Sequence, residues 1–437
     1  MPSRQDELHS YQYSMQRVVA ALVTHDPDPP RSPMRRAGLT ALIGVLIAAL
    51  GLGGTAAYGM VTGHTMTEAT DADAVLLEKG TGARYVYLPA DGRLHPVLNY
   101  TSGLLLAGGA RPEVKAVRAD KLARVPLGEP LGIPGAPDSL PTAKNLLAGD
   151  WSVCSETVAG GPRSTLLVGA APSGGTDAAE RGLLVRDEAG RTHLVHGNQR
   201  FLLAAERVDV IQRALGWYGR RPWPAPAAWV DAIPAGPDLA APVIPGAGRP
   251  STIAGRRIGQ VVTDGNQFAV VLRDGIAPVG ETQARLLAPA AAIGAAFRQL
   301  PGSATRLGDG AGLPARVPRL ADDPARACVT LAGGNAVVRL DAAFPPGAAP
   351  TGPTRVDRVH VARGRGALVV AAASPGAPAS TGAVHLVTDS GRRYPLVGRD
   401  LAARLGYPDV SPRPVPAQLV AYVPAGPALD RGRAGRP

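Results

Sequence analysis

The longest apolar stretch in the chain runs from Ala37 to Val61 and contains no charged side chain. A helix of that length would measure about 37 Å, enough to cross a hydrocarbon core of about 30 Å with some tilt. The pattern therefore predicts one transmembrane helix over residues 36–61. A cleavable signal peptide has a shorter apolar core of about 7 to 15 residues, so we expect the helix to stay as an anchor.

Basic residues lie on only one side of this span. Arg31, Arg35 and Arg36 precede it, whereas the first basic side chain after it is Lys79. Because cytoplasmic flanks are enriched in Lys and Arg, the asymmetry predicts an N-terminus in the cytoplasm and everything after residue 62 outside. The predicted location is therefore the inner (plasma) membrane, with one span and a C-terminal periplasmic domain.

Small residues recur at every fourth position of the span, at Ala49, Gly53 and Ala57. Such a stripe lets a second helix approach closely in lipid. Composition alone accounts for the stripe equally well, because Gly and Ala are common throughout the chain. Both interpretations stay open.

The first 35 residues predict a cytoplasmic amphipathic helix followed by a basic junction. Apolar side chains recur there at helical spacing: Leu8, Tyr11, Met15, Val18 and Leu22. A lone helix has no core of its own, so its apolar stripe should contact another protein or the inner membrane surface. The polar face carries both Glu7 and Arg17 and lacks a basic row, which favours a protein partner.

The rest of the chain repeats one pattern: an apolar run, a turn with Asp and Gly, a second apolar run and a leucine-rich helical segment. Four copies begin at Val86, Leu183, Ala269 and Val384. Each copy predicts a β-hairpin followed by a helix. A second motif lies downstream, as IPAGPDL from Ile233, VPAGPAL from Val423 and the looser VPLGEPL from Val125. Two motifs in the same order predict small tandem α+β units.

The two cysteines lie between these copies. Cys154 falls between the first and second copies and Cys328 between the third and fourth. Because both lie on the predicted outer side, where conditions are oxidising, we expect a disulfide that joins two distant segments into a central domain. The predicted fold class is α+β, with a single N-terminal transmembrane helix followed by an elongated periplasmic region of four small α+β repeats around a disulfide-stapled central domain.

The predicted boundaries follow from these patterns. They are 1–35 for the helix and basic junction, 36–61 for the span, 62–140 for repeat 1, 141–180 for a central segment, 181–250 for repeat 2, 251–315 for repeat 3, 316–355 for a second central segment, and 356–437 for repeat 4 and the C-terminal tail.

Charge and aromatic content restrict the possible partners. The formal net charge is +11, which suits anionic lipid, an acidic wall polymer or nucleic acid. The arginines are scattered, and four Phe and four Trp leave little aromatic surface for stacking on bases. We therefore expect no nucleic acid partner. Three tryptophans spaced six apart among prolines, Trp217, Trp223 and Trp229, suggest a carbohydrate-binding surface or, more commonly, packing under a loop.

No motif for an active site emerges. The chain lacks G-x-x-x-x-G-K-[ST], G-x-S-x-G and H-E-x-x-H. His193 and His196 lie three residues apart on a predicted strand and so point to opposite faces, which argues against a metal site. The repeated turn residues Asp91, Asp187, Asp274 and Asp389 fit structural turns better than catalysis. Catalytic residues remain unassigned, and we expect no metal.

The N-terminal segment resembles the EccB family of the actinobacterial type VII (ESX) secretion system. The residues that carry this match are Leu8, Ser10, Tyr11, Arg17, Ala21, Leu22, Val23, Asp26, Arg35 and Arg36. Val18, Thr24 and His25 stand where the family usually has arginine. The order of one span, four repeats, a central domain and a cysteine pair is also similar.

The resemblance implies a structural core component of the secretion channel, in a multimeric complex with EccC, EccD and EccE and near the mycosin protease. The residues themselves predict no cofactor; because family members are also described as ATPases, ATP is implied by the resemblance alone. Two alternatives remain: a membrane-anchored periplasmic ATPase or hydrolase of the same system, and an anchored module that binds peptidoglycan.

Overall fold

The computed structural model describes residues 4–25, 33–62, 68–289, 292–294, 300–305, 312–352, 354–374 and 382–437. The chain divides into an N-terminal unit, residues 1–68, and an outer unit, residues 69–437. The described residues of the N-terminal unit form the helices α1 (Arg4–Thr24) and α2 (Pro33–Thr62). The predicted span lies within α2, which begins earlier because proline is well suited to the first position of a helix.

Repeat 1 of the outer unit is a small α+β fold. Its elements are β1 (Ala74–Glu78), β2 (Arg84–Leu88), β3 (Arg93–Pro96), α3 (Tyr100–Leu106), β4 (Glu113–Val117) and α4 (Ala119–Leu122). The sheet has the order β3-β2-β1-β4, in which β1 and β4 are parallel and the other neighbours antiparallel. Asn99 caps α3 by accepting a hydrogen bond from the Ser102 amide, so the helix starts directly after β3.

The central sheet takes its strands from distant parts of the chain. Its described strands are β5 (Trp151–Val158), β6 (Gly161–Leu167), β7 (Thr176–Asp177), β15 (Arg326–Ala332), β16 (Asn335–Leu340), β17 (Ala349–Pro350) and β18 (Arg358–His360). They lie in the order β17-β18-β6-β5-β15-β16-β7. Strands β5 and β15 are antiparallel neighbours at the middle, with Cys154 directly opposite Cys328.

Repeats 2 and 3 follow the first central segment. Repeat 2 contains β8 (Leu183–Arg186), β9 (Thr192–His196), β10 (Gln199–Leu203), α5 (Val208–Ala214), β11 (Trp223–Pro224) and α6 (Ala227–Ala232), with the sheet order β10-β9-β8-β11. Repeat 3 contains β12 (Val261–Thr263), β13 (Phe268–Val271), β14 (Ile276–Val279) and α7 (Glu281–Leu287), with the order β12-β13-β14 among its described strands.

Repeat 4 has the same topology as repeats 1 and 2. Its elements are β19 (Gly366–Ala372), β20 (Val384–Thr388), β21 (Arg393–Leu396), α8 (Leu401–Arg404), β22 (Arg413–Pro416) and α9 (Ala417–Tyr422), followed by a C-terminal helix α10 (Arg431–Ala434). The order is β21-β20-β19-β22, with β19 and β22 parallel. The predicted α+β fold class is confirmed. The finer domain boundaries stay predictions.

One predicted segment of repeat 2 is wrong. The leucine segment that ends at Leu203 forms strand β10 and not a helix, and it pairs along its length with β9. Gly197 and Asn198 both have positive φ and make the tight turn between these strands. The turn at Asp187 joins β8 and β9, the first two strands of repeat 2. In the other three copies the Asp and Gly turn joins the second and third strands, so the pattern in repeat 2 starts one strand earlier than in the others.

The motif IPAGPDL and its two copies form backbone hydrogen bonds with the third strand of repeats 2, 4 and 1. Arg200 of β10 donates its amide to the Pro234 oxygen and accepts from the Gly236 amide, and Arg393 of β21 makes the same pair with Pro424 and Gly426. A Cβ on Gly236 would lie 2.6 Å from Phe201, and one on Gly426 2.3 Å from Tyr394. Glycine is therefore required because the backbone passes directly against an aromatic ring.

Repeat 3 carries a copy of this motif that the sequence patterns did not reveal. The Ile276 amide donates to the Pro301 oxygen, and the Ser303 amide donates to the Ile276 oxygen. Ser303 takes the position of the motif glycine, so the local sequence is too different to be recognised. Shared hydrogen bonds identify the copy where residue identity does not.

The repeats pack in two pairs. Repeats 1 and 4 share a hydrophobic core that includes Val86, Leu105 and Leu386. Repeats 2 and 3 contact each other through α5 and α7. Equivalent residues of repeats 4 and 2 bind the segments that lead into the central sheet. The Tyr407 hydroxyl donates to the Pro141 oxygen at 2.7 Å, and the Trp217 indole donates to the Pro318 oxygen at 3.2 Å.

Candidate functional site

The apolar stripe of α1 is uncovered along its length. Five side chains form it, and each is 50% to 75% exposed within the described residues: Leu8, Tyr11, Met15, Val18 and Leu22. Burying a side chain of this kind stabilises a structure by about 1.5 to 3 kcal/mol, so the stripe offers a substantial free energy to whatever covers it. Its role in partner binding stays a prediction.

Among the described residues, α2 is the one helix long and apolar enough to cross a membrane. The window Gly38–Ala56 has a mean hydropathy of 2.0, and none of it is buried. Ala49 and Gly53 are exposed, and a Cβ on Gly53 would meet nothing within 4 Å, so this face has room for a second backbone.

Four other predicted residues belong to the junction and the span. Arg35, Arg36 and Ala57 lie within the bounds of α2, and Arg31 lies outside the described residues. The predicted orientation of the span and the packing role of its small residues stay predictions.

The cysteine pair forms the predicted disulfide at the middle of the central sheet. The Cα atoms of Cys154 and Cys328 are 4.0 Å apart across β5 and β15, and both residues are fully buried. Leu167 packs against the pair. Buried sulfurs within a sheet have a structural role, because exchange with another thiol requires access to the bond.

His193 and His196 both lie on β9, as predicted, and point to opposite faces of it. His193 is buried with its Nε2 3.4 Å from an Asp187 carboxylate oxygen, whereas His196 lies on the opposite face of β9. Burial lowers the pKa of His193, although Asp187 opposes that shift. Within the described ranges, no three His, Cys, Asp or Glu side chains are grouped to hold a metal ion.

The three spaced tryptophans are core residues. Trp217, Trp223 and Trp229 are all at most 5% exposed. Trp223 and Trp229 pack edge to face, with ring centroids 5.7 Å apart. The packing interpretation of these residues is therefore confirmed, and they form no carbohydrate-binding surface.

A cleft of about 530 Å³ opens where repeat 2, the central sheet and repeat 4 meet. Two ion pairs line it, one between Arg413 and Asp150 and one between Arg200 and Asp231, whose oxygen lies 3.7 Å from the guanidinium. Arg355 approaches Asp231 at 3.4 Å. The start of the IPAGPDL motif, residues 233–235, lines part of this cleft, but the charged residues come from separate strands and helices and no sequence motif marks them.

The charge arrangement of the cleft limits its chemistry. Each guanidinium that lines it already contacts a carboxylate, so a polyphosphate entering it would meet Asp150 and Asp231. Two of the ion pairs instead connect parts of the outer unit: Arg413 of β22 in repeat 4 pairs with Asp150, which precedes β5, and Arg355, which precedes β18, pairs with Asp231 of α6 in repeat 2.

Comparison with known proteins gives consistent similarities. Residues 1–436 match the family described as type VII secretion system ESX-1, transport TM domain B (EccB). The chain is 28% identical to the ESX-3 secretion system ATPase EccB3 of Mycolicibacterium smegmatis, over 98% of this chain and 89% of that protein. It is 34% identical to the ESX-2 secretion system ATPase EccB2 of Mycobacterium tuberculosis, over 51% of this chain and 47% of that protein.

Solved structures share the fold. A chain of an intact ESX-5 inner membrane complex superposes with a TM-score of 0.70 at 22% identity, over 99% of this chain and 95% of that chain. The EccB3 dimer from an ESX-3 core complex superposes with a TM-score of 0.68 at 27% identity, over 83% of this chain and 100% of that chain.

Proposed function

Because this chain belongs to the EccB family of type VII secretion membrane proteins, we propose that it is a structural core component of an ESX secretion complex and acts by assembly. The observation that carries the proposal is the uncovered apolar stripe of α1. The similar solved chains come from an ESX-5 inner membrane complex and an ESX-3 core complex, which supports a multimeric membrane assembly.

In this proposal α2 spans the inner membrane, the N-terminus is cytoplasmic and residues 69–437 lie in the periplasm. The basic residues Arg31, Arg35 and Arg36 before the span support this orientation. The partners expected from the family are EccC, EccD and EccE components and a mycosin protease. The α1 stripe would contact the cytoplasmic parts of such partners.

A charge placed on the stripe tests the proposal. Tyr11→Asp with Met15→Asp should remove the protein from its membrane complex, because burying an unpaired carboxylate costs several kcal/mol. Gln12→Asp with Gln16→Asp is the matched control, since it has the same spacing and gives the same ionisable groups one position off the stripe. Pull-down of the other membrane components measures both. Equal recovery with the two variants would contradict docking through the stripe.

The names of the relatives raise ATP hydrolysis as a second candidate. The chain carries no phosphate-loop motif, and the arginines of the described cleft are already paired with carboxylates. We therefore expect no ATP turnover by the purified full-length protein. Phosphate release that Arg413→Gln abolishes, while Arg326→Gln leaves it unchanged, would favour the enzymatic alternative.

A further inference from the structure

Within each pair, the two repeats contact each other through equivalent helices. Helices α3 and α7 are both seven residues long and directly follow the third strand of their sheets. Helices α5 and α8 hold matching places in repeats 2 and 4, where Leu215–Gly216 and Leu405–Gly406 follow them. Contact of α3 with α8 therefore corresponds to contact of α5 with α7.

In the first pair, the C-terminal helix α10 of the chain packs on α3. The Arg431 Nε donates to the Leu105 oxygen of α3 at 3.2 Å, and the Gly132 amide donates to the Arg436 oxygen at 3.3 Å. Ala434 is completely buried in the shared core of repeats 1 and 4. A short helix with a small apolar residue thus completes the pair.

In the second pair, the corresponding place is an open groove of about 790 Å³. The chain after Leu239 continues towards repeat 3 and supplies no helix there, so nothing in the described ranges takes the place of α10. Leu286, Leu287 and Ala288 line the groove at the positions that Leu105, Leu106 and Ala107 hold in the first pair.

The opposite wall of the groove comes from α5. Val210 and Ala214 line it, and Val210 is 64% exposed. An apolar groove between two helices suits a short helical segment that inserts its apolar residues.

The charged residues of the groove indicate what kind of segment it would receive. Arg213 and Arg285 line it together with Glu281, which gives an excess of positive charge. Arg285 contacts Glu281 at 3.7 Å, yet its Nε is buried and has no hydrogen-bond partner among the described atoms. The chain's own α10 is basic, with Arg431 and Arg433, so a second copy of it would meet like charges.

We propose that the groove between α5 and α7 receives a short helical segment of a partner protein that presents carboxylates beside a small apolar side chain. The segment would hold the position that α10 holds between repeats 1 and 4. Its carboxylates would pair with Arg213 and Arg285, and its small residue would lie on Leu286 and Leu287. This surface lies in the outer unit and does not depend on docking of α1.

Two labelled peptides test the proposal on the full-length protein in detergent. The first has the sequence of residues 426–437 with its three arginines replaced by glutamate, and the second has the native basic sequence. Fluorescence polarisation at physiological salt should show binding of the acidic peptide and at least tenfold weaker binding of the basic one. Preferential binding of the basic peptide would identify a second copy as the occupant and would overturn the proposal, as would no binding of either.

Three variants locate the binding. Val210→Glu should weaken binding of the acidic peptide at least tenfold, whereas Val243→Glu, with the same charge change at a site 89% exposed and outside the groove, should leave it unchanged. Arg213→Glu should shift the preference towards the basic peptide. Equal loss in Val210→Glu and Val243→Glu would mean attraction to the net charge of the chain and would refute a specific groove.

Discussion

The two units of the protein differ in how far their large apolar side chains are buried. In the outer unit, even the largest side chains are enclosed: Trp151 and Trp229 are at most 2% exposed. In the N-terminal unit, Tyr11 and Leu22 are 68% and 75% exposed, and α2 buries none of its apolar window. The outer unit therefore encloses a core of its own, whereas the N-terminal unit needs lipid and partners to cover its surface.

The largest expected effect on this contrast comes from removing the disulfide. Cys154→Ala with Cys328→Ala opens a closed loop of 174 residues, for which the chain-entropy relation gives roughly 5 kcal/mol as an upper figure. Because all four tryptophans lie in the outer unit, their fluorescence during urea unfolding reports that unit alone. The urea midpoint should fall well below that of the wild type. An unchanged midpoint would show that the central sheet holds without the bridge.

A smaller loss is expected from filling a glycine contact. Gly426→Ala would place a Cβ 2.3 Å from the Tyr394 ring and should destabilise the outer unit by about 1 to 3 kcal/mol. Gly302→Ala is the matched control, since it lies in the corresponding segment of repeat 3 and its Cβ would meet nothing within 4 Å. Urea unfolding compares the two variants. Equal midpoints would contradict the proposed close approach to the ring.

The smallest effect is on the dependence of stability on pH. Burial, with Arg393 nearby, lowers the pKa of His385 to about 4, against about 6.5 in an unfolded chain. Between these values the unfolded state binds the proton and the folded state does not, so stability is complete above about pH 6.5 and falls as the pH drops towards 4, by at most about 1.4 kcal/mol per pH unit.

His385→Gln should reduce the slope of stability against pH in that window. Burial also lowers the pKa of His193, His196 and His360, so part of the slope should remain. Urea unfolding at pH 7, 6 and 5 measures the slope in both proteins. A variant with the wild-type slope would show that His385 takes no part in it.

Local patterns predicted the features that depend on local chemistry. The uncharged run after Ala37 gave α2, and the Asp and Gly turn residues gave hairpins such as β20–β21, because these signals reside in adjacent residues. The disulfide was also predictable, since only two cysteines exist and both follow the span. The helix and the hairpins need no knowledge of distant contacts, and the disulfide, although its cysteines are 174 residues apart, was predictable because two cysteines allow one pairing.

Apart from the disulfide, the features that depend on distant contacts were not predictable. Strand β10 was expected to be helical because a short leucine-rich run fits either period, and its pairing with β9 decides the outcome. The cleft at Arg413 and Asp150 joins residues 263 positions apart, with no repeated spacing to reveal it. The groove between α5 and α7 became visible only through its counterpart under α10.

We infer that the N-terminal unit serves assembly while the outer unit folds independently of it. The most direct measurement places two variants side by side, Tyr11→Asp with Met15→Asp and Gly426→Ala, and records for each both the urea midpoint by tryptophan fluorescence and the recovery of the other membrane components in a pull-down. We expect the helix variant to keep the wild-type urea midpoint and to lose the complex, whereas the glycine variant should have a lower urea midpoint and still recover the other membrane components in the absence of urea. A helix variant that retains the complex, or that loses the midpoint along with it, would contradict the claim.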